Sequence, residues 1–398
     1  MDKKLFLYSR FRDCENITVL PTDFNPIEAS VWDALQKQLP FKDLPGVSIR
    51  NISRDPQEPF DLSFELISGS NRVRVLCEVK RTFTPSLLQQ IVPWIQRFKS
   101  LRPDVAIAAV SPMFSQQSQA YCVQNGINFL DLAGNIFIDV PGKLTVQRTG
   151  RRIKGLSTTE SEGPRSLNVY SGRTSRILRV LLEKSKSWTL SAIARELDAE
   201  TGRFRTIFPK TQIDFQISLG SISKALASLE EQLWIRRRGT SLIVPEPQRL
   251  LEQWAEKYRE RYRWRLRSSF QANNPFGREL SDINKGLQST ITTPYIFSGA
   301  IAASDAPFVD IDQVEVFLIA GSDDRKLRDL KSEPNAGPTF RFTYPYDDGV
   351  FMYSRLVGQA LVASPIQAYL DLYARGGRDF KQAGYLLENV IRPRWGTA

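Results

Sequence analysis

The chain has 398 residues and a mass of 45.3 kDa, and 54 Lys and Arg against 43 Asp and Glu give it a formal net charge of +11. This length is sufficient for two or three domains, and the 41% of hydrophobic residues indicates a folded protein rather than a disordered one. The absence of histidine excludes His-dependent catalytic triads, HNH-type nucleases, HEXXH metalloproteases and HD phosphohydrolases.

Cysteine usage and hydropathy indicate a cytoplasmic location. The three cysteines, Cys14, Cys77 and Cys122, are too few and too scattered for a disulfide framework, so we expect reduced, structural thiols. No apolar run reaches the roughly 18 residues that would span a bilayer, and the first residues lack a secretory apolar stretch. We therefore expect no membrane partner.

The positive charge is concentrated in the middle of the chain. Residues 151–267 contain 24 Lys and Arg against 13 Asp and Glu, whereas the segments before and after are close to neutral. A basic excess confined to one segment is typical of a nucleic-acid-binding domain. A basic domain that is merely well solvated is the alternative.

In the first 147 residues, the hydropathy pattern predicts the element order αββαβαββ. Ile27, Val31, Leu35 and Leu39 define one face of the first helix. Strands alternating with helices after a hairpin imply a mixed sheet flanked by helices. The predicted helices are 23–40, 85–100 and 115–125, and the predicted strands are 60–68, 71–80, 104–111, 128–132 and 135–140.

Two acids and a lysine mark the first hairpin. Asp61 opens one strand, and Glu78 and Lys80 close the next, where their spacing of two places both side chains on one face. Carboxylates are the ligands that Mg²⁺ prefers, and the lysine can assist water activation or stabilise charge at phosphorus. An exposed ion pair on an edge hairpin is the structural alternative.

These residues resemble the PD-(D/E)XK nuclease superfamily, through Pro59-Phe60-Asp61 and Glu78-Val79-Lys80. The resemblance implies a restriction-endonuclease-like domain over 1–147 in which Asp61 and Glu78 bind Mg²⁺ or Mn²⁺ and Lys80 serves the attacking water. It also implies assistance from Glu28 on the first helix. Gln89 or Gln90 matches a glutamine that several branches place near the active site, and Gln90 is the residue we select.

Residues 148–172 form a predicted linker, and 173–267 predict a winged helix-turn-helix domain. The predicted helices start near Thr174, Trp188 and Leu219, and a basic hairpin and a long amphipathic helix follow them. In such a module the third helix enters the major groove of DNA and the hairpin follows the backbone. The residues predicted to contact nucleic acid are Ser221, Ser223, Lys224, Arg236, Arg237, Arg238 and Lys210.

Residues 268–398 predict an α/β interaction domain, with a protein partner as the expected role. It is similar to nucleotidyltransferases only in outline: Gly321-Ser322-Asp323-Asp324 follows a strand, but no third carboxylate is evident. We therefore expect no catalysis there. The aromatic cluster from Phe340 to Tyr346 is expected to be core rather than a base-stacking platform.

A second resemblance spans most of the chain. The segments Asn128–Ile136 (NFLDLAGNI) and Pro247–Ala255 (PQRLLEQWA) resemble the AbiEi-type family, whose members are type IV antitoxins or transcriptional regulators of abortive-infection systems. This implies a phage-defence or mobile-element context. Asp131 and Asn135 are interpreted as turn-forming residues between two strands rather than as catalysts.

Two functions follow from these features. The first is a DNA-binding protein whose Mg²⁺-dependent endonuclease domain is targeted by the winged helix, with a homodimer required to cut both strands. The alternative is a non-catalytic AbiEi-like antitoxin or transcriptional repressor that binds promoter DNA. Both require DNA binding, so only metal-dependent cleavage separates them.

Overall fold

The computed structural model describes residues 26–54, 60–102, 104–151, 168–265, 268–303, 311–319, 324–330 and 338–396. The chain divides into two compact units, Met1–Arg165 and Ser166–Ala398. In these described segments, no helix is long and apolar enough to cross a membrane.

The first unit contains a seven-stranded mixed sheet whose strands lie in sequence order. The central strands β3, β4 and β5 are parallel, and antiparallel hairpins flank them on both sides. The strands are β1 Val47–Ser53, β2 Leu62–Ser68, β3 Asn71–Val79, β4 Val105–Ser111, β5 Asn128–Asp131, β6 Ile136–Val140 and β7 Leu144–Arg148, and the helices are α1 Pro26–Gln36, α2 Pro85–Leu101 and α3 Gln116–Gln124.

Helices cover both faces of this sheet because its central strands are apolar on both sides. Val75 and Cys77 of β3 belong to one core, which includes Val31 and Leu35 of α1. Leu76, which points to the other face, belongs to a second core with residues of α2 and α3. The predicted mixed α/β fold is therefore confirmed.

The structure adds two strands that the hydropathy pattern did not predict, β1 and β7. In β1 the pairing register shifts between Arg50 and Ser53, and Asn51 adopts a left-handed backbone with φ of 52°. Such a bulge interrupts the alternation by which a strand is recognised in sequence. Strand β7 lies at the sheet edge and ends at Arg148, where the linker was predicted to begin.

The second unit begins with three helices and a small hairpin, in the order expected of a winged helix. Thr189 caps α5 by accepting the Ala192 amide at 3.2 Å, and Ser218 caps α6 in the same way. Trp188 and Leu242 exchange backbone hydrogen bonds and so extend the hairpin sheet. The elements are α4 Ser175–Glu183, α5 Leu190–Ile207, α6 Leu219–Glu231, β8 Arg236–Arg238, β9 Ser241–Ile243 and α7 Pro247–Arg265.

Helix α5 is longer than the sequence pattern predicted. Its buried stripe continues from Ile193 and Leu197 to Phe204, so much of the expected insertion before α6 is helical. The remaining connection, residues 208–218, is fixed by a hydrogen bond of 3.0 Å from the Phe215 amide to the Thr201 hydroxyl. This connection is an ordered loop packed on α5.

The rest of the second unit is a six-stranded sheet in the order β10-β13-β12-β11-β15-β14. Its core is continuous with that of residues 175–265, which we call the winged-helix segment for the order of its elements: Trp254 and Tyr258 of α7 belong to the same buried cluster as Leu370. The elements are β10 Ser269–Ala272, α8 Leu280–Thr290, β11 Tyr295–Ser298, β12 Gln313–Leu318, α9 Asp324–Arg328, β13 Thr339–Thr343, β14 Arg355–Val357, β15 Ala360–Val362, α10 Pro365–Arg375 and α11 Asp379–Leu386.

Candidate functional site

The acid–acid–lysine group lies at one end of the central strand β3. The Asp61 carboxylate accepts a hydrogen bond of 2.7 Å from the amide of Val79, the residue between Glu78 and Lys80. The Lys80 ammonium forms a hydrogen-bonded ion pair with the Glu78 carboxylate. The structure therefore brings these three predicted residues together.

The surrounding backbone fixes this arrangement. Leu62 pairs with Cys77 in the antiparallel hairpin, and the Asp61 amide donates to the Cys77 carbonyl at 3.0 Å. The Lys80 amide donates to the Val110 carbonyl of β4 at 3.0 Å, so the lysine follows directly on the parallel part of the sheet. This strand geometry presents carboxylates where parallel strands end, an edge at which α/β sheets commonly bind ligands.

Phe60, which precedes Asp61, anchors that residue in the core. Its ring lies 5.4 Å from the Trp94 ring and 5.2 Å from the Phe98 ring, both on α2. The Ser111 hydroxyl, at the end of β4, donates a hydrogen bond of 2.9 Å to the carbonyl of Arg81, the residue after Lys80. Sequence reasoning did not identify Ser111, because a lone serine at a strand end carries no distinctive signal.

The charges at this edge differ in how far they reach solvent. Glu78 and Lys80 are partly exposed, and their ion pair compensates both charges. Burial raises the pKa of the Cys77 thiol, and the nearby Asp61 charge adds to that rise. The thiol therefore stays neutral in the core under the sheet.

Glu28 and Gln90, the two assisting residues predicted for this site, lie on different helices, α1 and α2. Helix α1 packs on the face of the sheet opposite Glu78, and there Glu28 lies 3.6 Å from the Arg54 guanidinium. Gln90 is exposed on α2. Within the described segments, no group of three or more Asp, Glu, Cys or His side chains could hold a metal ion. The packing of α1 does not favour a role for Glu28 beside Glu78, and assistance from Gln90 stays a prediction.

Asp131 and Asn135 form a buried turn between β5 and β6. The Asp131 carboxylate accepts from the Phe114 amide at 3.1 Å and from both the amide and the side chain of Asn135 at 2.9 Å. Burial raises the pKa of Asp131, while these hydrogen bonds oppose the rise. The interpretation of both residues as turn-forming agrees with this geometry.

Gly134 leaves room for the Arg148 side chain, at the end of β7, to approach the same turn. Its φ of +86° is left-handed, and a Cβ there would lie 2.6 Å from the Arg148 guanidinium. Arg148 in turn donates to the carbonyls of Gly134, Pro40 and Lys42 at 2.6–3.0 Å. The NFLDLAGNI motif is thus accounted for by a turn that ties the end of the sheet to the segment after α1.

On the winged-helix segment, the predicted nucleic-acid residues separate into two groups. Ser223, Lys224 and Lys210 are exposed. Ser221 instead joins the cap of α6, because its hydroxyl accepts a hydrogen bond of 2.9 Å from the Ser218 hydroxyl. It is partly buried, so it is a poorer candidate for a contact with DNA.

The three wing arginines are also not equivalent. Arg237 points toward α6 and donates a hydrogen bond of 2.8 Å to the Glu230 carboxylate. Arg236 and Arg238 project from the other face of β8, because successive side chains on a strand alternate, and both are exposed. All three phosphate contacts stay predictions, and the ion pair with Glu230 distinguishes Arg237 from the other two arginines.

We expect replacement of both Arg236 and Arg238 by alanine to lower the slope of log affinity against log salt by about two, since each phosphate contact contributes about 0.9. The measurement is fluorescence anisotropy of a duplex titrated with the full chain between 50 and 200 mM salt. Arg237→Ala is the matched control and should change the slope by much less. A double variant with the wild-type slope would contradict the assignment.

A polar cluster is buried inside the second unit. A cavity of about 30 Å³ is lined by residues that include Tyr262, Glu315 and Asp371, which is room for about one water molecule. Tyr262 donates to Glu315 at 3.1 Å, and Ser298 donates to Asp371 at 2.5 Å. The cavity is too small for a nucleotide, so we assign this cluster a structural role.

We expect this cluster to make the second unit sensitive to pH. Burial, together with the Asp371 charge, raises the pKa of Glu315 to about 7 from an ordinary value of 4.5. Neutral Glu315 therefore favours the folded state below about pH 4.5, and this contribution is lost as the pH rises to 7. Relative to Glu315→Gln, the wild type should lose up to about 3 kcal/mol of unfolding free energy between pH 5 and pH 8.

Urea unfolding at the two pH values measures this difference. Glu388→Gln, at an exposed ion pair with Arg392, is the control and should follow the wild type. If Glu315→Gln and the wild type changed equally with pH, the buried carboxyl would not be the titrating group.

Two further predictions concern the last third of the chain. Gly321, Ser322 and Asp323 lie outside the described residues. Phe340 and Phe342 are buried, as expected of a core, but Tyr346 is 81% exposed and does not belong to it. The expected all-core role of the aromatic cluster is wrong at that position.

Comparison with known proteins adds little to this geometry. No protein-family model matches the chain, and no curated protein matches it. Among solved structures, the chain is similar to EndoMS in apo form, with 14% sequence identity and a TM-score of 0.20. The match covers 27% of this chain and 46% of the EndoMS chain, so this chain spans less than half of the length of EndoMS. A similarity this low establishes neither a common fold nor a common activity.

Proposed function

We propose that this chain is a DNA-binding protein whose first unit hydrolyses phosphodiester bonds with Mg²⁺ or Mn²⁺ and whose winged-helix segment holds the DNA. The observation that carries the proposal is the hydrogen bond from the Val79 amide to Asp61, which places that carboxylate beside the Glu78–Lys80 pair. Two acids and one ammonium at the end of a parallel strand are the groups that this chemistry requires.

The residues present fit a divalent cation with a small protein ligand set. Asp61 and Glu78 carry hard carboxylate oxygens, and the Asp61 carboxylate is held at the end of β3 by the Val79 amide, the residue next to Glu78. Mg²⁺ usually keeps several of its waters and takes only one or two carboxylates, so a third acid is not required. When bound, the cation would supply Lewis-acid polarisation of the phosphoryl oxygens and a more acidic coordinated water.

The role of Lys80 follows from its charge and position. Its ammonium lies beside Glu78 and is 31% exposed, so it can reach a bound phosphate. Hydrolysis joins a water oxygen to phosphorus and breaks one phosphorus–oxygen ester bond, and negative charge grows on the phosphoryl oxygens in between. Lys80 is positioned to stabilise that charge or to orient the water.

The test is a cleavage assay with the full chain. Supercoiled plasmid, linear duplex and branched DNA are each incubated with Mg²⁺, with Mn²⁺ or with EDTA. We expect strand cleavage with either metal and none with EDTA. If all three substrates stay intact with both metals, the hydrolytic proposal fails.

The second candidate is a non-catalytic regulator of the AbiEi type, an antitoxin or a repressor at promoter DNA. It is favoured by the ion pair that already compensates Glu78, and by the absence of a three-carboxylate group in the segments that the structure describes. It predicts DNA binding without cleavage. The phage-defence context rests on the family resemblance, and a protein partner for the C-terminal segment is compatible with either proposal. A homodimer belongs to the first proposal, because one such site cuts one strand.

A further inference from the structure

The outer face of helix α6 contains one large apolar residue. Ile222, Leu226 and Leu229 are buried against the core, whereas Leu219 is 56% exposed at the start of the helix. Hydrophobic burial therefore accounts for every large aliphatic side chain of α6 except this one. The neighbouring outward positions, Gly220, Ser223, Lys224 and Ala227, are small or basic.

The charge around this face matches a polyanion. Lys224 lies on the face itself, Lys210 lies in the loop that leads into α6, and both are exposed. Arg236 and Arg238 add two exposed charges on the hairpin that follows. A helix with small outward side chains fits the width of the DNA major groove, and its first residues contact base edges in helix-turn-helix complexes.

We propose that Leu219 recognises a thymine through its C5-methyl group when α6 lies in the major groove. That methyl is the apolar group that the four natural base pairs present in this groove, and aliphatic side chains contact it. The inference rests on the DNA-binding part of the proposed function and names a specificity-determining residue within it. It does not depend on cleavage.

The experiment combines a change in the protein with a change in the DNA and compares the binding affinities of the four pairs. The full chain, in EDTA, selects duplexes from a random-sequence library, and each thymine of the best duplex is then replaced by deoxyuridine, which lacks only the methyl group. We expect one replacement to weaken wild-type binding about fourfold, the effect of losing one buried methyl. Leu219→Ala should bind the thymine and uracil duplexes with equal affinity.

Ile207→Ala is the matched control, since Ile207 is a second exposed aliphatic residue, at the end of α5. This variant should keep the fourfold difference. The inference is overturned if no replacement weakens binding, or if Leu219→Ala keeps the full difference. Failure of the wild type to bind any duplex would overturn the DNA-binding proposal as well, whereas the cleavage result is independent of both.

Discussion

Lys80→Ala is expected to lower the rate of metal-dependent DNA cleavage by about 100- to 1000-fold while the protein stays folded. The magnitude is that of removing one charge-stabilising or proton-transferring group from an active site. Lys80 is partly exposed and its principal contact is the Glu78 carboxylate, so its truncation should leave the core unchanged. Single-turnover cleavage rates and thermal unfolding measured on the same preparations separate the two effects.

Matched variants sharpen this test. Asp61→Asn and Glu78→Gln should cause comparable losses, because both remove a carboxylate charge with little change of shape. Lys143→Ala, at an exposed lysine of the same unit, should cleave at the wild-type rate. Glu28→Gln should also stay active, since Glu28 lies over the opposite face of the sheet. Wild-type cleavage by Lys80→Ala would remove the lysine from the mechanism.

Asp131→Ala is expected to give the largest loss of stability in the first unit, about 3–5 kcal/mol. Asp131 is 0% exposed, and its carboxylate satisfies three buried N–H groups, from Phe114 and Asn135. Truncation would leave these donors without partners, and each buried unsatisfied donor costs about 1–3 kcal/mol. Chemical denaturation monitored by tryptophan fluorescence measures the change.

Asp139→Ala controls for the loss of a carboxylate from the neighbouring strand. Asp139 is only half-buried, and it accepts a hydrogen bond of 2.6 Å from the Thr145 hydroxyl. We expect this variant to lose about 1 kcal/mol or less. Equal losses in the two variants would show that the turn at Asp131 is no more important than an ordinary polar contact.

Much of the first unit could be predicted because its pattern is local. Helix α2 was expected over 85–100 and spans Pro85–Leu101, with Thr84 as its cap. The central strands β3 and β4 were recognisable from their apolar runs. The spacing of Glu78 and Lys80 also determines their shared face, so that part of the site followed from strand geometry alone.

The features that sequence did not reveal depend on tertiary contacts. Glu28 has a helix-compatible position, but only the packing of α1 on one face of the sheet shows that it is not beside Glu78. Arg237 is indistinguishable from Arg236 and Arg238 in the sequence, and only the register of β8 turns it toward Glu230. A run of three arginines cannot show which of them faces the protein.

The continuous core of residues 169–391 determines how this protein can be dissected. Trp254 and Tyr258 lie on α7, in the first half of that core, and they are buried in one cluster with residues beyond 268. A fragment ending near residue 267 would expose these large aromatic side chains to water. We therefore expect such a fragment to aggregate rather than to fold as an isolated module. A fragment that keeps this core together is the whole second unit, Ser166–Ala398.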